Sequence, residues 1–248
     1  MKYNNFFYKD QMSGSLRSAH EVAKVLKQYF SPSSLLDVGC GVGTWMKAFS
    51  ENFSGLDYFG VDGEYVKAKD LVVEKPHFRG MDISQPFNLD KKFDLVISLE
   101  VGEHIAHEKA AVFVENICRH GDFILFSAAI PGQGGTFHVN EQFPEYWAGL
   151  FEINGFVCVD FMRPLIWENQ QIEYWYRQNM LVFVKPERLA ALSFLEAAAK
   201  TTRKNWIYKP HPELMQYKTS LVKQLLNPIG WSGYQWYKLK RKVLGAND

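Results

Sequence analysis

Leu35-Leu36-Asp37-Val38-Gly39-Cys40-Gly41-Val42-Gly43-Thr44-Trp45 is an apolar run, a carboxylate and three glycines at alternate positions. The run reads as a strand, the glycines as a tight turn, and Thr44 as the start of a helix. Glycine tolerates positive φ and lets the backbone approach a ligand closely, while the first turn of a helix offers unpaired N–H groups to whatever sits there. The stretch predicts a ligand cradle at a strand-to-helix junction, and the rest of the chain is read outward from it.

Upstream, Leu16, Ala19, Val22, Ala23, Leu26, Tyr29 and Phe30 recur at helical spacing over residues 15–30, until Ser31-Pro32 ends the pattern. Downstream, residues 57–62 read as a second strand ending in Asp62, which gives the βαβ pattern with an acid at the end of its second strand. A short third strand fits residues 77–83. Residues 93–99 and 123–128 are continuous apolar runs, the character of strands buried on both faces. Between them a helix fits residues 107–119, and a glycine-rich loop follows at residues 130–135. Pro144 suits the first turn of a helix that stops near Gly155. Two late strands fit residues 156–161 and 180–184, separated by an insertion rich in aromatics and amides. The alternation predicts a doubly wound α/β sheet with its ligand at the carboxyl ends of the strands.

At 248 residues and 47% apolar content the chain can bury a full core, and its net charge of +1 shows no global excess that would advertise nucleic acid. Three widely spaced cysteines argue against a disulfide framework and for a reducing compartment. With no signal-like start and no run long enough to span a bilayer, a cytoplasmic protein is expected. Two units are expected: residues 1–185 as the sheet domain, and residues 186–248 as a helical extension. Within the extension, residues 231–244 are basic and aromatic, suited to a partner protein or to the inner membrane surface.

The ligand is narrowed by what the turn lacks. A phosphate-binding P-loop needs a lysine after its last glycine, and here Gly43-Thr44-Trp45 has none. A dinucleotide fingerprint needs its third glycine three positions after the second, and Gly43 stands only two after Gly41. Asp37-Val38-Gly39-Cys40-Gly41-Val42-Gly43 instead resembles the first motif of class I S-adenosylmethionine-dependent methyltransferases, and the later motifs over residues 15–185 follow in that family's order. The resemblance implies a Rossmann-like seven-stranded sheet of order 3-2-1-4-5-7-6 with strand 7 antiparallel. It assigns Asp37, Gly39, Gly41, Gly43 and Leu99 to the cofactor site, Asp62 to the ribose hydroxyls, and Asp82 with Ile83 to the adenine. Asp82 serves equally well as a turn residue capping Ile83-Ser84. Arg17, in the segment before the glycine turn, is a candidate for the cofactor's carboxylate or a solvent-facing helix residue.

On the acceptor side, Ser98-Leu99-Glu100-Val101-Gly102-Glu103-His104 lacks the Pro-Pro motif of amide and base N-methylating relatives. Its Glu-x-x-Glu-His pattern resembles quinone-biosynthetic and small-RNA O-methyltransferases. In those relatives such residues, with a later histidine, can hold a divalent cation, which makes Glu100, Glu103, His104 and His138 a candidate metal set. Alternatively His104 or His138 is a general base, with Glu100 beside it, or the Glu-His pair merely caps a helix. The stretch from Ala129 to Trp147 resembles bacterial methyltransferases associated with surface polysaccharides and sugars. That likeness points to a sugar or glycan hydroxyl as acceptor, with Gln133, Asn140, Gln142, Arg163, Trp167 and Arg177 as its binding residues. The two arginines keep acidic sugars in view. A quinone, phenol or RNA 2′-hydroxyl acceptor and a non-catalytic binding module are the competing readings.

Overall fold

The computed structural model describes residues 5–203 and 207–226. Seven strands form one sheet: β1 (Ser34–Val38), β2 (Asp57–Asp62), β3 (Phe78–Gly80), β4 (Leu95–Leu99), β5 (Phe123–Ser127), β6 (Val157–Val159) and β7 (Leu181–Val184). Their order is β3-β2-β1-β4-β5-β7-β6, as expected. The strands from β3 to β5 pair in parallel, and β7 runs antiparallel to both β5 and β6. Helix α1 (Asn5–Lys27) precedes the sheet, and α2 (Thr44–Asn52) and α3 (Ala110–Arg119) follow β1 and β4. Helix α4 (Pro144–Ile153) follows β5, and α5 (Met162–Ile166) and α6 (Tyr174–Asn179) lie between β6 and β7.

The apolar runs form strands here because both faces of the sheet are covered. Side chains alternate across a strand, and the two cores divide accordingly. Leu35, Leu95, Ile97, Phe123 and Leu125 pack with Ala19, Val22 and Leu26 of α1 and with Trp45 and Phe49 of α2. Leu36, Val96, Ile124 and Phe126 pack with Phe113 and Ile117 of α3 and with Trp147 and Phe151 of α4. Each face buries several large side chains, at about 1.5–3 kcal/mol apiece.

Three elements differ from the sequence reading. Helix α1 begins well before residue 15 and runs through Gly14. A Cβ at Gly14 would lie 2.7 Å from Glu173 Oε1, so the small residue makes room for the later insertion. That insertion, for which the sequence reading named no regular element, carries two short helices, α5 and α6. The third strand has only three residues, since it pairs with β2 along one edge alone.

After β7 come α7 (Pro186–Ala191) and α8 (Ser193–Thr201), assigned by sequence to the extension. They share one compact unit with the sheet, which reaches Lys209. Leu195 is buried in the first core, and Thr202 Oγ1 accepts the Asp160 N–H at 2.9 Å. A second unit begins at Pro210 and contains α9 (Pro212–Leu226). The basic aromatic segment at 231–244 lies outside the described residues. No helix among the described residues is long and apolar enough to cross a membrane.

Candidate active site

Strand order reverses on either side of β1, which lies between β2 and β4, and a crevice opens where neighbouring strands send their chains to opposite faces. The glycine turn leaves β1 at that point, with Gly39, Gly41 and Gly43 at φ 83°, 54° and 91°. A Cβ at Gly39 would lie 2.5 Å from both Val101 methyls, so the turn is pressed against the segment that follows β4. At Gly41 nothing stands within 4 Å of the same position. One glycine lets two segments meet; the next leaves room for a ligand.

Asp62, at the end of β2, is buried and braces this turn. Its Oδ2 accepts the Gly41 N–H and its Oδ1 the Gly63 N–H, both at 2.6 Å, and Oδ1 also accepts the Tyr65 hydroxyl. Asp37 is buried beneath, its Oδ2 without a partner, and burial followed by the charge of Asp62 holds its carboxyl well above the usual range. Asp82 closes its own turn, accepting the Ser84 N–H and hydroxyl at 3.0 and 2.6 Å, and these bonds hold its carboxyl low. Ile83 beside it is buried, as is Leu99 at the end of β4. Over the turn lies α1, whose Ser15 Oγ is 3.0 Å from Thr44 Oγ1.

Arg17 is engaged elsewhere. Its guanidinium is half exposed and donates to the Gln171 carbonyl and to Glu173 Oε1 at 2.9 and 2.8 Å, tying α1 to the insertion.

Across the crevice, Glu100 follows β4 with φ 56°, a left-handed conformation costing about 1–3 kcal/mol in a residue with a side chain. Its Oε2 accepts from Gln133 Nε2 at 2.9 Å and its Oε1 from Asn179 Nδ2 at 3.0 Å. Gln133 Oε1 in turn accepts from Gln178 and Asn179. Burial pushes the Glu100 carboxyl up and the amides pull it partly back. Gln133 is therefore a buried clamp on Glu100, where an acceptor-binding role was expected.

Three of the four metal candidates meet. Glu103, His104 and His138 each bring one donor atom within 4.8 Å of the others. The His104 and His138 rings lie edge to face at 4.9 Å, and His138 Nε2 is 3.8 Å from Glu103 Oε1. Glu103 is buried, its Oε2 has no partner, and burial together with the charge of Glu100 holds its carboxyl well up. His104 Nδ1 donates to the Phe137 carbonyl at 3.2 Å, and burial lowers its basicity, so its Nε2 carries a lone pair. Glu100 stays outside this group, held by its amides.

The loop that brings His138 here is sewn to the segment after β4, since the Val139 and Asn140 N–H groups both donate to the Glu103 carbonyl at 2.9 and 3.0 Å. Asn140 is buried, accepts from Gln142 Nε2 at 2.9 Å, and leaves its own Nδ2 without a partner.

The two acceptor-side arginines are a correction. Arg163 is fully buried and forks onto Asp160 with two bonds of 2.7 Å, while donating to the Gln178 and Ile207 carbonyls. Arg177 is buried and donates to the Trp167 carbonyl at 2.9 Å. Both hold the chain together. Sequence reasoning placed Asn179 and Glu141 among the polar residues facing the acceptor but not as partners of Glu100 and His138; the signals were Glu141 three positions after His138, and an amide next to a strand end.

Comparison with known proteins accords with this geometry. Residues 8–164 match the family model described as a methyltransferase domain. No curated protein matches the chain. Among solved structures, DesVI of Streptomyces venezuelae superposes with a TM-score of 0.52 at 15% identity, over 75% of this chain and 100% of its own. The sugar N-methyltransferase KedS8 of Streptoalloteichus sp ATCC 53650 gives 0.54 at 16% identity, over 74% of this chain and 93% of its own. The magnesium protoporphyrin IX methyltransferase ChlM of Synechocystis PCC 6803, with bound SAH, gives 0.53 at 18% identity, over 75% and 90%. The chain belongs to the methyltransferase domain family.

Proposed function

We propose that this methyltransferase uses S-adenosylmethionine to methylate a hydroxyl of a neutral sugar or glycan, of the surface-polysaccharide type. The observation that carries the reading is the convergence of Glu103, His104 and His138, which follow directly on or pack against the segment whose Val101 presses on Gly39 of the turn. The crevice fits the donor: open space at the Gly41 Cβ position, a carboxylate at the end of β2, and a helix N-terminus at Thr44. When bound, S-adenosylmethionine supplies an electrophilic methyl group on a positively charged sulfur. Asp62 would exchange the Tyr65 hydroxyl for those of the ribose. His138 Nε2 would take the proton of the acceptor's hydroxyl and so make its oxygen nucleophilic toward that methyl group. General bases in this role contribute about 10²–10⁴-fold.

A hydroxyl acceptor is favoured because an alcohol needs a base, and the imidazoles of His104 and His138 meet here. A neutral acceptor is favoured because Arg163 and Arg177, the two arginines offered for an acidic sugar, are bonded within the protein. The sugar is supported by the flanking polar groups Asn140 and Gln142 and by the named substrate of KedS8.

The orphaned Glu103 Oε2 favours a second reading, in which a divalent cation binds here. Glu103, His104 and His138 would hold it, an oxygen and nitrogen set suited to Mg²⁺, Mn²⁺ or Zn²⁺, and it would acidify the acceptor hydroxyl.

The test is methyl transfer from labelled S-adenosylmethionine to neutral sugars, uronic acids, amino sugars and phenols, with products identified by mass spectrometry. Methyl ethers on neutral sugars are expected; transfer only to amines or phenols overturns the proposal. Turnover that survives thorough chelation leaves the histidine base alone, whereas loss restored by Mn²⁺ establishes the cation.

A further inference from the structure

The geometry points to Glu141 as the positioning residue that sets the tautomer of His138 and the shape of the loop carrying it. This rests on the reading of His138 as the acceptor's base. Glu141 Oε1 lies 2.9 Å from His138 Nδ1 and accepts the Gly134 N–H at 2.7 Å, while Oε2 accepts the Gly132 N–H at 2.8 Å. A carboxylate only accepts hydrogen bonds, so Nδ1 carries a proton, and in the neutral ring the lone pair is left on Nε2. Nε2 is the atom that faces Glu103. The rest of the loop allows the ring little freedom, since a Cβ on Gly135 would fall 2.1 Å from His138 Nε2. Glu141 therefore does two things at once: it closes residues 132–134 around its oxygens, and it holds the ring of His138 with Nε2 toward Glu103. A carboxylate behind a histidine commonly works this way, by fixing tautomer and ring orientation.

The experiment is nitrogen NMR of the full chain labelled with ¹⁵N-histidine, combined with steady-state kinetics on wild type, Glu141→Gln and Glu141→Ala. In wild type, His138 is expected to show a protonated Nδ1 and a bare Nε2. Glutamine keeps the Oε1 contacts and opposes only the Gly132 N–H with its amide, so the tautomer should persist and kcat fall only a few-fold. Alanine should mix the tautomers and lower kcat about 10–100-fold, with cofactor affinity by calorimetry unchanged. A wild-type His138 protonated on Nε2 overturns the inference, as does an alanine variant that keeps both the tautomer and kcat. If alanine fails to fold, the wild-type tautomer and the glutamine variant decide alone. A lost tautomer with kcat intact supports the positioning role and overturns the base reading instead.

Discussion

The glycine turn and the loop after β5 face the same crevice and are built in opposite ways. The turn is seven consecutive residues whose backbone is the working surface, braced from β2 by a single carboxylate. The loop places its working atoms on side chains and takes its shape from partners far away in the chain: Glu103 and His104 after β4, and Asn179 before β7. A backbone cradle suits a ligand that is the same in every reaction of a family, whereas a side-chain assembly can be rebuilt for each acceptor. The two regions should accordingly fail in different ways.

The largest effect should come from the loop. His138→Ala is expected to lower kcat by about 10²–10⁴-fold while leaving the dissociation constant of the cofactor unchanged. If cofactor affinity fell in step with kcat, the division between the two regions would be wrong. Gly41→Ala should do the reverse. Its Cβ enters the open side of the turn, so cofactor affinity measured by calorimetry should fall about tenfold, while the left-handed backbone costs about 1–2 kcal/mol of stability. An alanine variant with wild-type affinity would mean that the open space at Gly41 is not ligand space.

The smallest effect concerns stability. Burial keeps the Glu103 carboxyl protonated in the folded chain at a pH where the unfolded chain, titrating near about 4.3, has already ionised. The folded state then binds more protons than the unfolded one, so stability from this group is complete below about pH 4.3 and declines as pH rises toward the raised folded value. Glu103→Gln removes that decline. The variant should gain on wild type with rising pH, by about 1 kcal/mol or a few degrees of Tm near neutrality. A Tm difference that did not change with pH would show that Glu103 has found a partner and ionised.

The same contrast explains what could be read in the sequence. Strands β1, β4 and β5 were legible because their cores alternate between two covered faces, and the glycine turn because its residues are contiguous. Arg163 was misread because a side chain's charge says nothing about where its partner lies; Asp160, three residues earlier, was the available hint. Gln133 was misplaced for a related reason. Its partners Gln178 and Asn179 reach it only because β7 runs antiparallel to β5, with Leu181 opposite Phe126, which delivers residues 178–180 to the carboxyl end of β5. No local pattern announces that meeting.

The roof over the glycine turn has a bearing on turnover. S-adenosylmethionine is consumed in each cycle, so the spent donor must leave and a fresh one enter every time. The segment of α1 lying on Thr44 is fastened to the insertion by Arg17 and Glu173, a pair whose arginine is about half exposed, with side-chain exposures of 48% and 27%. Pairs of that kind contribute only about 0–1 kcal/mol. Ser15, Ser18 and Glu21 of α1 also take hydrogen bonds from Tyr176, Glu173 and Asn169 of the insertion, so exchange of the donor asks for more than the loosening of that one exposed pair.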